Sequence, residues 1–374
     1  MQQITWKDFS WKKYSSHLNG HPEPETPGRV IAHDGAAVRI VTPRGPMIAE
    51  ISGHLRYLSD LGTAILPAVG DYVDVRPGTP AQIDDVLPRS TTFQRKEAGV
   101  RTEAQVICAN VDLAVIVTTA PSVDVVAGDG AKAEQINARH ELDDFNIRRI
   151  ERYLATLDPG VRPIVVLNKC DLVPDPQALR SFVASELPEA VVIALSALTG
   201  ESVHLLADMI EPGQTAVLVG SSGCGKSTLI GRLTGEEILT RAVRATDGRG
   251  RHTTTSRQMY RLPEGGIIVD TPGMREIQIW ADDESEADPV SEAFPEIARL
   301  ADSCRFRDCR HQHEPGCAIK EAVESGRIQP ERYASFLKLR QEAELTREQR
   351  RRRQQEWGKQ ISKFAREIKK MRRV

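Results

Sequence analysis

The stretch Gly220-Ser221-Ser222-Gly223-Cys224-Gly225-Lys226-Ser227 constrains this chain more than any other. It follows Thr215-Ala216-Val217-Leu218-Val219, an apolar run that predicts a buried strand, and precedes Thr228-Leu229-Ile230-Gly231-Arg232-Leu233, which predicts a helix. Strand, G-x-x-x-x-G-K-S, then helix is the context of a phosphate-binding P-loop. Glycines let the backbone turn tightly, so that successive N–H groups converge on an anion. The helix N-terminus adds its positive end at the same place. In this arrangement Lys226 reaches the β- and γ-phosphates and the Ser227 hydroxyl binds Mg²⁺. Residues Gly220 to Thr228 are therefore the expected phosphate contacts.

Around this stretch the chain alternates strands and helices. Leu113 to Val117 and Pro163 to Leu167 read as buried strands; helices are expected at Ala178 to Leu187 and Val203 to Ile210. Ala190 to Leu195 and Gly266 to Val269 add further strands. Such alternation implies a parallel sheet covered by helices on both faces. Between the first two strands, the polar segment Ala120 to Asp144 reads as a long loop. Upstream, five short β-type runs between Gly28 and Lys96 predict a small closed barrel, OB-like or SH3-like. Arg39, Arg56, Arg89, Arg95 and Lys96 would give it charge, and Tyr57, Tyr72 and Phe93 stacking surface, for single-stranded nucleic acid; a spacer barrel is the plainer alternative. Residues 1–27 read as a flexible polar lead-in.

Ligands of parallel sheets bind at the C-terminal ends of the strands, and there the sequence places further signals. Asn168-Lys169-Cys170-Asp171 follows one strand. A carboxylate at Asp171 can accept both N1–H and the 2-amino group of guanine, which adenine cannot match, while Asn168 approaches the other edge of the base and Lys169 covers its face. Ser196-Ala197-Leu198 follows the next strand, where the Ala197 N–H would approach guanine O6. Asp270-Thr271-Pro272-Gly273 follows the strand at 266–269; Asp270 would hold Mg²⁺ through water and the Gly273 N–H would meet the γ-phosphate. Gly250-Arg251-His252-Thr253-Thr254-Thr255 lies between and suits a loop that closes over γ-phosphate and Mg²⁺. Thr254 is the expected metal ligand, with Thr255 next. Base-reading motifs thus precede phosphate motifs, the reverse of the ordinary order P-loop, switch, D-x-x-G, N-K-x-D. A circularly permuted domain gives the same sheet from that order, because domain termini often lie close together.

The succession N-K-C-D, S-A-L, G-S-S-G-C-G-K-S, G-R-H-T-T-T and D-T-P-G closely resembles the permuted GTPases of small-ribosomal-subunit biogenesis, the RsgA family, over residues 28 to 340. The resemblance implies a circularly permuted α/β P-loop GTPase domain with an N-terminal OB-like β-barrel and a C-terminal zinc-binding helical domain. It also implies binding to the 30S subunit, contacts with 16S rRNA, and GTP hydrolysis stimulated by that subunit. The expected divisions are 1–27 extension, 28–105 OB barrel, 106–283 GTPase, 284–340 zinc domain and 341–374 basic helical tail. GTP/GDP, Mg²⁺ and one structural Zn²⁺ are the expected cofactors. The 120–144 segment and the extended tail depart from the family pattern.

Where many GTPases carry a water-orienting glutamine after D-x-x-G, this chain has Met274. His252 is the available substitute, and the resemblance points to it too. Slow turnover alone and faster turnover with the 30S subunit is the expectation; an rRNA-docking scaffold with a barely hydrolysed nucleotide is the alternative.

Cys304-x₄-Cys309-x-His311-x₅-Cys317 offers three thiolates and an imidazole, a closed tetrahedral set for structural Zn²⁺. His313 competes on spacing alone; the family pattern C-x-H-x-x-E-P-G-C selects His311. Cys108, Cys170 and Cys224 read as free thiols, as expected in a reducing compartment. From Lys338 to Val374 there are 14 Lys/Arg against 5 Glu, while the whole chain carries −2, so the rest stands at −11. A basic tail on an acidic body suggests a polyanionic partner such as RNA. Trp357, Ile361, Phe364, Ile368 and Met371 form an apolar stripe on that tail, for docking on its own protein, on RNA or on a ribosomal protein. No apolar run reaches the roughly 20 residues that cross a bilayer, and Met1 to Asn19 has no signal-peptide core. A cytoplasmic monomer is expected.

Overall fold

The computed structural model describes residues 3–16, 18, 21–22, 24–34, 37–96, 104–121, 145–235, 257–271, 288–345 and 348. The segment 122–144, the stretch holding His252 and Thr254, the Gly273–Met274 pair and nearly all of the basic tail lie outside those residues.

Five strands form the barrel: β1 (Pro27–Asp34), β2 (Ala37–Thr42), β3 (Gly45–Ile51), β4 (Tyr72–Arg76) and β5 (Ala81–Val86). Their order is β1-β2-β3-β5-β4, and β4 returns to β1, which closes the barrel. β3 and β5 run parallel and the other pairs antiparallel. The helix Gly53–Asp60 links β3 to β4 and is capped by the Ser52 side chain, which accepts from Leu55 N–H. This is an OB-like barrel. Its alternating strands bury one face, including Val30, Val38, Ile40, Val73 and Ile83.

Two strands, β6 (Thr92–Lys96) and β7 (Ala104–Ala109), pair with each other. The parallel sheet then comprises β8 (Leu113–Thr119), β9 (Arg162–Asn168), β10 (Val191–Ala194), β11 (Thr215–Val219) and β13 (Ile267–Asp270), with β12 (Gln258–Arg261) antiparallel to β13. The order is β10-β9-β8-β11-β13-β12. β8 and β11 are buried nearly along their whole length, because helices cover both faces of an inner parallel strand. Leu113, Val115, Val166, Leu218, Leu229 and Ile268 share one core.

The barrel and this sheet belong to one compact unit; the zinc-knuckle helices belong to a second. Within the first unit the two sheets are continuous. Ala32 of β1 pairs with Gln258 of β12, and the Arg39 guanidinium donates to Gln258 Oε1 at 3.0 Å.

The lead-in departs from expectation. Residues 3–16 carry Trp6, Phe9, Trp11 and Tyr14, and these rings pack. Tyr14 stacks on Tyr72 of β4 with centroids 3.9 Å apart, and Trp6 and Trp11 close around the same ring. Asp8 pairs with Arg261 of β12 at 2.6 Å. Burial of several rings outweighs the entropy of ordering so short a segment.

Under this clasp lies Arg29, only 2% exposed. Its guanidinium is sandwiched 4.7 Å from the centroids of both Phe9 and Tyr72. It donates to Gly70 O, Tyr72 Oη, Asn110 O and Thr215 Oγ1 at 2.9–3.3 Å. Thr215 opens β11, so a barrel side chain anchors the base of the P-loop strand. Removing a buried, hydrogen-bonded guanidinium orphans its acceptors Gly70 O, Tyr72 Oη, Asn110 O and Thr215 Oγ1, so Arg29→Met is expected to cost about 3 kcal/mol or more. Urea midpoints would show it, and a loss within about 0.5 kcal/mol, the range of an ordinary surface change, would contradict it.

Candidate nucleotide site and metal knuckle

β11 ends at Val219 and the chain turns through Gly220 to Gly225 into the helix Lys226–Thr234. Two glycines are forced by close approach. At Gly220 (φ +147°) an added Cβ would stand 2.2 Å from Val117 O, and at Gly225 (φ +95°) 2.2 Å from Asn168 Nδ2. The loop is therefore pressed against the ends of β8 and β9. Lys226 is 8% exposed, and its Nζ donates to Gly220 O and Ser221 O at 2.7 and 2.6 Å. Ser222, Gly223 and Ser227 are exposed, Ser221 and Thr228 half-buried, and Cys224 buried.

Asn168 joins three of the predicted motifs. Its Nδ2 donates to Cys224 O at 2.8 Å, and its Oδ1 accepts from Ala197 N–H at 2.9 Å. Both ends of the amide are thus engaged by protein, where the sequence suggested a contact to the base. The Ala197 N–H expected at O6 is used here as well. Lys169 takes a left-handed conformation (φ +65°), which turns the chain sharply after β9. Asp171 is exposed and accepts from Ser196 Oγ at 2.5 Å; Ser196 is itself fully buried. The sequence predicts Ser196 as a nucleotide contact in the S-A-L turn; in the structure its hydroxyl bonds the Asp171 carboxylate.

At the end of β13, burial outweighs the opposing pull of Lys226 and the Thr271 N–H and holds the Asp270 carboxyl up at about 6. Thr271 Oγ1 donates to Leu218 O at 2.5 Å, tying this corner to the P-loop strand. Asp270 is half-buried at the end of β13, the strand paired with β11, and Ser227 is exposed at the start of the helix that follows the P-loop; a carboxylate and a hydroxyl are the oxygen ligands a hard divalent cation takes. The structure thus brings Asn168, Asp171, Ser196, Ala197, the P-loop and Asp270 to one edge of the sheet. His252, Thr254 and Gly273 lie outside the described residues.

In the second unit, Cys304, Cys309, His311 and Cys317 offer ligand atoms that all lie within 4.8 Å of one another. His311 Nδ1 is 3.5 Å from Cys304 Sγ and 3.6 Å from Cys317 Sγ, and the two sulfurs are 4.0 Å apart. A tetrahedron with metal–sulfur bonds of about 2.3 Å has donor edges of about 3.8 Å, so the set fits zinc. His313 is exposed and outside the group. Glu314 shapes the turn: its carboxylate accepts from the N–H groups of Arg310, Gln312 and His313, which hold it down at about 2. The Tyr333 hydroxyl donates to His311 O.

A P-loop on an inner strand, with base-reading turns on strands that come earlier in the chain, defines a circularly permuted P-loop GTPase. The RsgA GTPase family profile matches residues 136–280. The chain is 40% identical over 357 residues to the small ribosomal subunit biogenesis GTPase RsgA of Opitutus terrae, covering 91% of this chain and 89% of that one. It is 38% identical to the protein of the same name from Streptomyces coelicolor, covering 84% and 80%. Among solved structures it is similar to YjeQ from Thermotoga maritima (TM-score 0.56, 24% identity, 85% of this chain and 98% of that one). It is also similar to YloQ, described as a circularly permuted GTPase (TM-score 0.54, 22% identity, 88% and 97%). The chain belongs to the RsgA family of GTPases.

The purified chain is expected to carry one zinc per molecule and Cys309→Ser to lose it, with faster amide exchange over residues 304–317. Elemental analysis with hydrogen exchange measures both; full zinc retention in the variant would contradict the assignment.

Proposed function

We propose that this chain hydrolyses GTP during biogenesis of the small ribosomal subunit, binds the 30S particle through 16S rRNA, and couples hydrolysis to its release. The observation that carries the reading is the Asn168 bridge, which gathers the N-K-C-D turn, the S-A-L turn and the P-loop at one sheet edge. The expected divisions at 28–105, 106–283 and 284–340 stand as part of the same proposal, and the chain acts as a monomer.

On this reading the loop N–H groups of Gly220 to Thr228 cradle the phosphates and Lys226 leaves the carbonyls of Gly220 and Ser221 to contact them. Asp171, aimed by Ser196, selects guanine; Asn168 holds the base-reading turn against the loop, and Lys169 covers the base. Ser227, Thr254 and, through water, Asp270 would hold Mg²⁺, which would supply positive charge against that developing on the phosphates. Gly273 contacts the γ-phosphate. With Met274 in the glutamine position, His252 orients the attacking water, and turnover is slow until the subunit binds.

The barrel is the proposed RNA contact, on fewer groups than expected. Tyr72 and Phe93 are buried in the fold and Arg89 is committed to Asp71, with Nε and Nη2 each donating to one carboxylate oxygen at 2.7 Å. Tyr57 is 62% exposed and remains for stacking. Arg95 and Lys96 are described as backbone alone. No helix of the described residues is long and apolar enough to cross a membrane.

GTP turnover measured with and without purified 30S subunits tests the proposal. Stimulation by the subunit is expected, and His252→Ala should keep GTP binding but lose about a hundredfold or more of the stimulated rate. No response to the subunit would overturn the partner, and an unchanged stimulated rate in the variant would remove His252 from the mechanism.

A further inference from the structure

Arg232 lies in the last turn of the helix Lys226–Thr234, one face of which is buried. By sequence it is an ordinary solvated arginine. In the structure its Nε donates to Ala197 O at 3.1 Å and its Nη2 to Leu198 O at 2.5 Å. The planar guanidinium fork thus grips two successive carbonyls of the turn after β10. Charge-assisted bonds of this kind are stronger and more directional than neutral ones.

A trans peptide is planar, with its carbonyl and N–H on opposite edges. Holding Leu198 O therefore fixes the direction of the Thr199 N–H. That N–H donates to Ser196 Oγ at 3.1 Å, and Ser196 Oγ donates to Asp171 Oδ1 at 2.5 Å. A hydroxyl that accepts from an amide is left with its single proton to give, here to the carboxylate. A continuous series of hydrogen bonds runs from the helix that begins at Lys226 to the carboxylate at Asp171.

We propose that Arg232 is a positioning residue for base selection, locking the Ser196–Thr199 turn to the phosphate helix and thereby aiming Asp171 at the Watson–Crick edge of guanine. The proposal deepens the reading of Asp171 given above and rests on it. It assigns to the P-loop helix, whose first turn serves the phosphates, a second role at its far end.

The test uses the full chain, with unlabelled GDP and ADP each titrated in competition with a fluorescent GDP. Losing one charged hydrogen-bonding group is expected to weaken GDP binding by about tenfold in Arg232→Ala. ADP binding should be unchanged, so the GDP/ADP preference contracts by the same factor. Arg232→Lys, whose ammonium can serve one carbonyl, should fall between. A preference unchanged from wild type in Arg232→Ala, whether both affinities hold or fall together, would overturn the proposal, because a merely structural arginine affects all nucleotides alike. Should Arg232→Ala fail to fold, Arg232→Lys carries the test: a contracted preference at an unchanged melting temperature supports it and an unchanged preference overturns it. If the wild-type chain itself shows no preference for GDP, the guanine reading of Asp171 fails first and this proposal falls with it.

Discussion

The site depends on one buried side-chain amide. Asn168, 2% exposed, spends its donor on the P-loop and its acceptor on the S-A-L turn. Three segments separated by up to 56 residues converge there. A buried amide with an unmet donor or acceptor is costly, so the three segments are held in a single register. Gly225 has no side chain because Asn168 occupies the place a Cβ would take. The series from Arg232 through Ser196 to Asp171 braces the same turn from the other side. The turns proposed to read the base and the loop proposed to hold the phosphates are therefore joined into one corner by buried hydrogen bonds.

Permutation has a structural consequence in the first unit. The chain enters the GTPase sheet from the barrel, and β1 of the barrel pairs with β12. β12 follows directly on the stretch that carries His252 and Thr254. Arg29 binds the barrel to the start of the P-loop strand, and the aromatic clasp of residues 3–16 covers it. The barrel is thus joined through backbone and buried side chains to the strands that frame the candidate nucleotide site. Such a joint passes a displacement at one end to the other more readily than a flexible linker would.

Much of this architecture was legible in the sequence, for identifiable reasons. Buried parallel strands leave continuous apolar runs, as at Val115 to Val117 and Val217 to Val219. The P-loop has a fixed spacing because its chemistry does, and the permuted order can be read by listing the motifs. The Cys₃His set is a matter of counting. Other features carried no such signal. Arg29 and Arg232 look like any surface arginine until their partners, distant in sequence, are known. Tyr72 reads as stacking surface because alternation marks two faces of a strand without saying which one a closing barrel buries, and Phe93 because nothing in the sequence shows that β6 lies outside the barrel and bridges to Leu157. Trp6, Phe9, Trp11 and Tyr14 lacked regular periodicity, so the lead-in read as polar, although its aromatic density was a usable sign of packing. Asn168 was expected to contact the base, and the geometry gives it a bridging task that only the assembled sheet reveals.

On the proposed reading Asp171, Ser196 and the P-loop form one guanine-nucleotide pocket from segments written out of the usual order. Xanthine carries an oxygen where guanine carries its 2-amino group. Replacing Asp171 by Asn supplies a donor for that oxygen and removes the acceptor for the amino group. Competition between XTP and GTP on Asp171→Asn is thus the most direct measurement. Preference is expected to pass from guanine to xanthine in the variant while the wild-type chain keeps guanine. A variant that still prefers GTP as strongly as wild type would show that Asp171 does not read the base.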